Sequence, residues 1–592
     1  MEIFSNYKDY RCEYAHLFIG DYLNNLEITQ IFYEIANLLE IKGHKFRSRA
    51  YRRAAQTIET LPETLLDISN RGELEKIPGV GFNIAAKIQE LLDTEKLKYL
   101  KRLRREFPKG LLSLMEIEGI GPKKALILHR KLNIDSIDKL EVAVKKGKLK
   151  DFKGFGEKTE RNILRGIAMF RRGQERILLG YALPIAVKVR EMLEMCSAVK
   201  KVSLAGSIRR RKETIGDVDI LVTSEEALKV MEYFVTLPQV NRVMVQGETK
   251  STVFLSNDFK VDLRVVEDRS FGAALQYFTG SKEHNIKLRE LARKKGWKLS
   301  EYDLQDKKSG RILAGENEKS IYNALELDYV EPELRENRGE IKKALEKKLP
   351  RLVRYNEMRG DLHVHTEWSD GFNTIQEMII GAKRLGLEYI AVCDHSETLR
   401  VAHGLSGEDL LRQLEKVRNI NSEIEEFTVL QGVEVNIKTD GSLDVEDQIL
   451  NEMDIVIASI HSGFKQSKEQ VTDRLLTAIH NEYVNVIGHP TGRLINRREP
   501  YQVDLPKIFD AAAEQGVFME INAFPNRLDL SDIHSQNAKD SNVKLTIGSD
   551  AHKIDQLGFI ELGVAVARRG WLRPEDVCNT LTVEKLKKVL RR

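Results

Sequence analysis

Cysteine is scarce: four occur in 592 residues, at Cys12, Cys196, Cys393 and Cys578, with no paired spacing. That excludes a disulfide framework and a cysteine-built zinc knuckle, and it fits a reducing cytosol. No apolar run approaches the roughly 20 residues needed to span a bilayer, so no membrane is expected among the partners. A signal-peptide pattern is also missing from the first residues. Excess charge of one sign is lacking too. The net charge of +4 is too small to argue for nucleic acid by itself. What is present is ordinary globular material, 42% hydrophobic and 31% charged, in a chain too long for one core.

Distribution says more than totals. Lys42, Lys45, Arg47, Arg49, Arg52 and Arg53 cluster early, and Lys101, Arg102, Arg104 and Arg105 form a second basic run. Nine of the 13 histidines fall after residue 360, which suggests a metal-binding C-terminal part. Residues 1–24 match no pattern and are read as an extension. Helical periodicity then runs to about residue 178, with Ile31, Ile35, Leu38 and Leu39 at helical spacing. The next stretch, to about residue 330, alternates helices with strands expected at 201–205, 218–222, 252–255 and 261–266. A charged segment, 331–358, holds little apolar material and reads as a linker. Beyond it, short apolar strands at 389–392, 455–458, 484–487, 517–521 and 545–547 alternate with helices, which predicts an α/β barrel.

Three glycine turns punctuate the helical part: Gly79 and Gly81, Gly119 and Gly121, and Gly154 and Gly156. Each precedes a helical pattern carrying Lys or Arg. A G-x-G turn can present backbone N–H groups and a helix N-terminus to a phosphate. One such turn is weak evidence, and a set of plain helix caps is the bland alternative. Three at similar intervals read as a repeated helix-hairpin-helix device that grips a DNA backbone without regard to sequence.

The stretch 201–222 reads as strand, then Gly206-Ser207-Ile208-Arg209-Arg210, then Gly216-Asp217-Val218-Asp219. Asp217 and Asp219 are two apart on a strand and share a face, and Asp262 follows on a later strand. Three converging carboxylates can hold two Mg²⁺ ions for nucleotide transfer. Ser207 at a helix start and nearby Arg210 suit phosphate oxygens. A D-x-D pair alone is usually solvated surface; this ordered set is far more specific. It resembles the nucleotidyltransferase palm of family X DNA polymerases. The resemblance implies that Gly216 joins Ser207 and Arg210 at the triphosphate and that Tyr277, Phe278 and Gly280 line the sugar. It also implies that Asn285 meets the base edge and Arg289 the template strand. For Tyr277 or Phe278 taken singly, core packing is the plainer reading. The resemblance extends to a 5′-phosphate-binding lyase domain over Ala50-Tyr51-Arg52-Arg53 and Ile77-Pro78-Gly79-Val80-Gly81, with Lys87 at the Schiff-base position. Asn83 and Tyr99 stand where relatives carry basic residues, so a plain phosphate contact is the competing role for Lys87.

The C-terminal motifs are the most specific. His363 and His365 lie two apart on a strand, and Asp370, His395, Glu434, His461, His489, Asp550 and His552 follow, nearly all after short apolar strands. Strand ends of one barrel rim are where such enzymes place their chemistry. Nitrogen and oxygen donors without thiolate suit Mn²⁺, Zn²⁺ or Fe²⁺, and nine donors imply two or three ions. The set resembles the polymerase-and-histidinol-phosphatase (PHP) domain. Asp361 and Asp394 are expected to hold ligands in place, while His403, His480 and His534 match no ligand motif.

The chain is thus expected to be multidomain. Its parts are an extension (1–24), a lyase-like helical domain (25–108), a second helix-hairpin-helix region (109–173), an α/β nucleotidyltransferase palm with its nucleotide pocket (174–330), a charged linker (331–358) and a distorted (β/α) barrel of PHP type (359–592). The resemblance implies a cytoplasmic, monomeric repair polymerase using Mg²⁺ or Mn²⁺ and deoxynucleoside triphosphates on gapped or nicked DNA with a 5′-phosphate. The barrel would act as a 3′-5′ exonuclease. Two alternatives are a polymerase half reduced to a DNA-binding adaptor, and a barrel acting on a small phosphomonoester.

Overall fold

A computed structural model describes residues 25–59, 65–94, 96–107, 111–115, 117, 120, 122–149, 152, 155–256, 259–399 and 402–590. The extension at 1–24, together with Gly119, Gly121 and Gly154, lies outside the described residues. Residues before Arg176 and those from Arg176 onward form two compact units, the short loop 496–498 apart. No helix among the described residues is long and apolar enough to cross a membrane.

The first unit is helical. Ile28, Phe32, Ile35 and Leu39 recur along the helix Asn25–Ile41 and share a core with Ala54, Ala55 and Ile58 of the helix Lys45–Glu59. Helix Phe82–Thr94 adds Ile84, Ile88 and Leu91 to that core. A second core, with Leu114, Leu128, Leu140, Phe155 and Ile163, joins the helices Leu111–Met115, Pro122–Leu132, Ile137–Lys145 and Glu157–Glu175.

The second unit begins with a five-stranded sheet. In spatial order its strands are Lys201–Leu204, Val218–Thr223, Lys260–Val266, Lys250–Leu255 and Val240–Gln246. Alternation along Lys260–Val266 sends Val261, Leu263 and Val265 into the core and Asp262 to the other face. Val218, Ile220 and Val222 do the same beside Asp219. A small antiparallel sheet, Trp297–Leu299, Leu304–Asp306 and Ile312–Ala314, follows.

The segment 331–358 is not a free linker. Leu334, Ala344 and Leu352 share a core with Tyr322, Leu325 and Trp571. Of its charges, Lys342, Lys343, Lys347 and Lys348 stay exposed, while three are buried and paired: Arg335 with Glu318 (2.6 Å), Glu340 with His284 (2.7 Å) and Glu333 with Arg568 (2.7 Å). Composition suggested solvent, whereas pairing lets these charges sit inside.

Seven parallel strands then follow in chain order: Gly360–Val364, Tyr389–Val392, Thr428–Asn436, Ile455–Ser459, Val486–Ile487, Phe518–Asn522 and Leu545–Gly548. Nearly every residue in them is buried, as strands covered on both faces require. The two ends of the sheet meet through a parallel bridge, Val364 with Ala551. His365 N donates to Ala551 O (2.8 Å), and Asp550 N donates to His363 O (2.9 Å). The barrel therefore nearly closes with seven strands, and the bridge lies among the expected ligands.

Candidate active sites

The palm site grows from two neighbouring parallel strands. Asp219 and Asp262 are register partners across them, so both carboxylates leave the same face side by side. Asp217 precedes the first of these strands. Lys260 Nζ donates to Asp217 Oδ2 (3.2 Å) and to Asp262 Oδ2 (3.0 Å), and Thr252 Oγ1 donates to Asp262. Burial, reinforced by Asp217 and Asp262, pushes the Asp219 carboxyl up to about 6. A carboxylate disfavoured by its like-charged neighbours is one that added positive charge would stabilise, so this donor set fits divalent cations.

The surroundings of that site are mostly tied down. Gly206 has φ +62°, and a Cβ there would lie 2.4 Å from Asp219 Oδ2, so only glycine lets the chain pass this carboxylate. Ser207 follows inside the short helix Gly206–Arg209. Gly216 immediately precedes Asp217. Arg210 does not extend freely: its Nε donates to Glu336 Oε1 (3.1 Å) and its NH1 to Thr279 O. Gly280 caps the helix Phe271–Thr279, and a Cβ on it would lie 3.2 Å from Arg210 NH1. Tyr277 and Phe278 meet edge to face at 5.1 Å, with the Arg264 guanidinium 4.5 Å over Phe278. The Asn285 amide donates to Tyr277 O (2.7 Å) and accepts from Gln276 Nε2 (2.6 Å). Arg289 is half-buried one helical turn further on.

In the barrel, eight of the nine expected ligands form three overlapping groups whose donor atoms lie within 4.8 Å of one another. These are His365, Asp370, His395 and His552; His363, His365 and Asp550; and His395, Glu434 and His461. The ninth, His489, places Nε2 3.0 Å from Glu434 Oε1. Glu434 is central: His395 Nδ1 lies 2.8 Å and His461 Nε2 3.4 Å from its oxygens. Burial opposes its ionisation, but His461, His395 and His363 hold the carboxyl well below the usual range. Burial, helped by His552 and His395, pushes His365 down to about 3. Buried His363 Nε2 and His365 Nε2 have no hydrogen-bond partner. Unpartnered nitrogen lone pairs beside carboxylates fit metal ligation. His403, His480 and His534 belong to none of the groups.

Supporting residues orient the set. Asp394 accepts from Thr366 N (2.8 Å), Thr366 Oγ1 (2.6 Å), Ser369 Oγ (2.5 Å) and Gln413 Nε2 (2.6 Å), which fixes the loop bearing Asp370. Asp361 accepts from His363 N (3.2 Å) and Ser549 N (3.0 Å). Sequence reasoning missed Glu520 and Asn436. Glu520 accepts from His363 Nδ1 (2.5 Å) and His489 N (2.6 Å), and Asn436 Oδ1 accepts from His461 Nδ1 (2.5 Å). A carboxylate inside the apolar run 517–521 was the available signal for the first.

In the helical unit, Gly79, Gly81 and Gly156 are exposed, and Gly81 and Gly156 immediately precede the helices Phe82–Thr94 and Glu157–Glu175. Gly79 has φ +82°, and Arg53 packs beside it. Lys87 Nζ donates to Asn83 O (2.6 Å) and sits 5.1 Å over the Tyr99 ring. Burial lowers the Lys87 ammonium, and Glu90 only partly offsets this.

Comparison with known proteins follows the same divisions. Residues 23–97 match a helix-hairpin-helix domain, 111–168 a SAM-like helix-hairpin-helix tandem, 274–336 the DNA polymerase beta thumb and 361–524 the PHP domain. The chain is 36% identical over 573 residues to the DNA polymerase/3'-5' exonuclease PolX of Bacillus subtilis (strain 168), covering 96% of this chain and 100% of that protein. It is 27% identical over 345 residues to DNA polymerase lambda of Rattus norvegicus, covering 52% of this chain and 56% of that one. A probable phosphatase of Thermoanaerobacter sp. (strain X514) is 33% identical over 242 residues, covering 39% of this chain and 94% of the phosphatase.

Proposed function

Because the chain belongs to the family X DNA polymerases that carry a C-terminal PHP domain, we propose that it fills short gaps during base-excision repair. Its palm extends 3′ ends and its barrel trims them. The observation that carries this reading is the pair of constellations: Asp219 and Asp262 on the palm face with Asp217 joined to them through Lys260, and eight clustered donors of the barrel with His489 beside Glu434. Divalent ions, when bound, supply Lewis-acid activation of a nucleophile and neutralise charge on phosphate oxygens.

In the palm, Asp217, Asp219 and Asp262 hold Mg²⁺ or Mn²⁺. Ser207, Arg210 and Gly216 bind the triphosphate of a deoxynucleoside triphosphate. Tyr277, Phe278 and Gly280 line its sugar, Asn285 its base edge, and Arg289 the template. The backbone N–H groups at Gly79 and Gly81, Gly119 and Gly121, and Gly154 and Gly156 receive DNA phosphates near a 5′-phosphorylated gap. In the barrel, His363, His365, Asp370, His395, Glu434, His461, His489, Asp550 and His552 would hold two or three Mn²⁺, Zn²⁺ or Fe²⁺ ions. Glu520 and Asn436 keep Nδ1 of His363 and His461 protonated, which leaves Nε2 free to ligate. The enzyme works in the cytoplasm as a monomer.

The test is 5′-phosphorylated gapped DNA with a labelled 3′ end. Asp219→Ala is expected to lose extension and keep trimming, and His365→Ala the converse. Both activities falling together in folded protein would count against two separate sites. Small phosphomonoesters cleaved in preference to the labelled 3′ end would instead make the barrel a metabolite phosphatase. A second reading concerns Lys87, whose burial favours the free amine that a Schiff base with a 5′-deoxyribose phosphate needs. Borohydride trapping is expected to crosslink the wild type to such DNA and to fail with Lys87→Ala.

A further inference from the structure

The loop carrying Ser207 and Arg210 is fixed partly from outside the palm. Arg569, the last residue of the barrel helix Ile560–Arg569, has a side chain only 5% exposed. Its NH1 donates to the backbone carbonyl of Arg210 (2.7 Å) and to Glu336 Oε1 (3.1 Å). Its NH2 donates to Asp532 Oδ2 (2.8 Å), which anchors it within the barrel. Arg210 Nε donates to the same Glu336 oxygen (3.1 Å). Neutralising a carboxylate does not require one arginine to grasp another's peptide oxygen. That contact fixes a backbone.

We propose that Arg569 is a positioning residue for nucleotide transfer: the barrel pins the Arg210 peptide and anchors the carboxylate that orients its guanidinium. The inference rests on the assignment of Arg210 to the triphosphate. Bidentate recognition of phosphate by arginine depends on orientation as well as charge, so a guanidinium freed to drift binds less well. Through this contact the nuclease half sets the nucleotide affinity of the polymerase half without touching nucleotide or metal.

Single-nucleotide gap filling by the full chain tests it, with kcat and KM for the nucleotide measured in Arg569→Met, Arg569→Lys, Arg210→Ala and the double variant Arg210→Ala/Arg569→Met. Arg569→Met is expected to raise KM by about tenfold with kcat within about twofold of wild type. Arg569→Lys, which still reaches the carbonyl, recovers most of the loss. In the Arg210→Ala background, Arg569→Met adds nothing further. Additive increases in KM, or an unchanged KM with a lowered Tm, overturn the inference. Arg210→Ala without effect on KM removes the triphosphate assignment and the inference with it, a result distinct from additivity. Where Arg569→Met does not fold, Asp532→Asn loosens Arg569 together with Arg338, which shares that carboxylate; KM is expected to rise, and an unchanged value overturns the inference.

Discussion

At the scale of single residues, the palm aspartate Asp219 depends on a neighbour that has no side chain. Gly206 combines a left-handed backbone with a 2.4 Å approach of any Cβ to Asp219 Oδ2. Gly206→Ala is therefore expected to displace the carboxylate and cut primer extension by about a hundredfold or more, with 3′ trimming intact. Unimpaired extension by a folded Gly206→Ala protein would show that the loop yields. The expected ligands were legible because histidine and acid residues punctuate apolar runs. Glu520 and Asn436 were not, since each acts on a histidine distant in sequence, 157 and 25 residues away respectively. Arg569 was invisible for the same reason: its partner, Arg210, lies 359 residues earlier.

At the scale of elements, burial pattern decided what could be read. The barrel strands stand out as short apolar runs between helices. Val240–Gln246 did not, because it is largely exposed at a sheet edge. The segment 331–358 was misread because its apolar residues are few and three of its charges, at Glu333, Arg335 and Glu340, are buried in ion pairs rather than solvated. One knot holds that region: Glu318 accepts from Arg335 (2.6 Å) and Arg209 (2.6 Å), all three at most 19% exposed at the side chain. Burial opposes ionisation of Glu318, and Arg335 and Arg209 outweigh it, so its carboxyl is held well below the usual range. A depressed carboxyl contributes stability above the unfolded value of about 4.3, and this is lost as pH falls from there through the folded value. Glu318→Gln should cost about 3 kcal/mol or more by leaving guanidinium charge buried without its partner. Denaturant unfolding at neutral pH measures the loss, and the variant's stability should fall less steeply in acid. Equal acid slopes for variant and wild type would contradict that origin.

At the scale of the whole molecule, two catalysts share a chain with helical DNA-binding modules. Affinity for gapped DNA is expected to fall linearly with the logarithm of salt concentration, as counterion release requires, and a flat dependence would remove backbone phosphates as the main contact. Chelation is expected to stop extension and trimming alike, with separate metal concentrations restoring each. The core holding Tyr322, Leu325 and Leu352 also holds Trp571, which follows the barrel helix Ile560–Arg569, and Val353 N donates to Leu572 O (3.0 Å). Separate catalytic chemistry at the two sites would therefore not confer independence of inheritance. A gene cut between them would strip the upstream half of an aromatic plug and leave the excised barrel with an oily scar, so the halves of this protein are kept together by a shared interior.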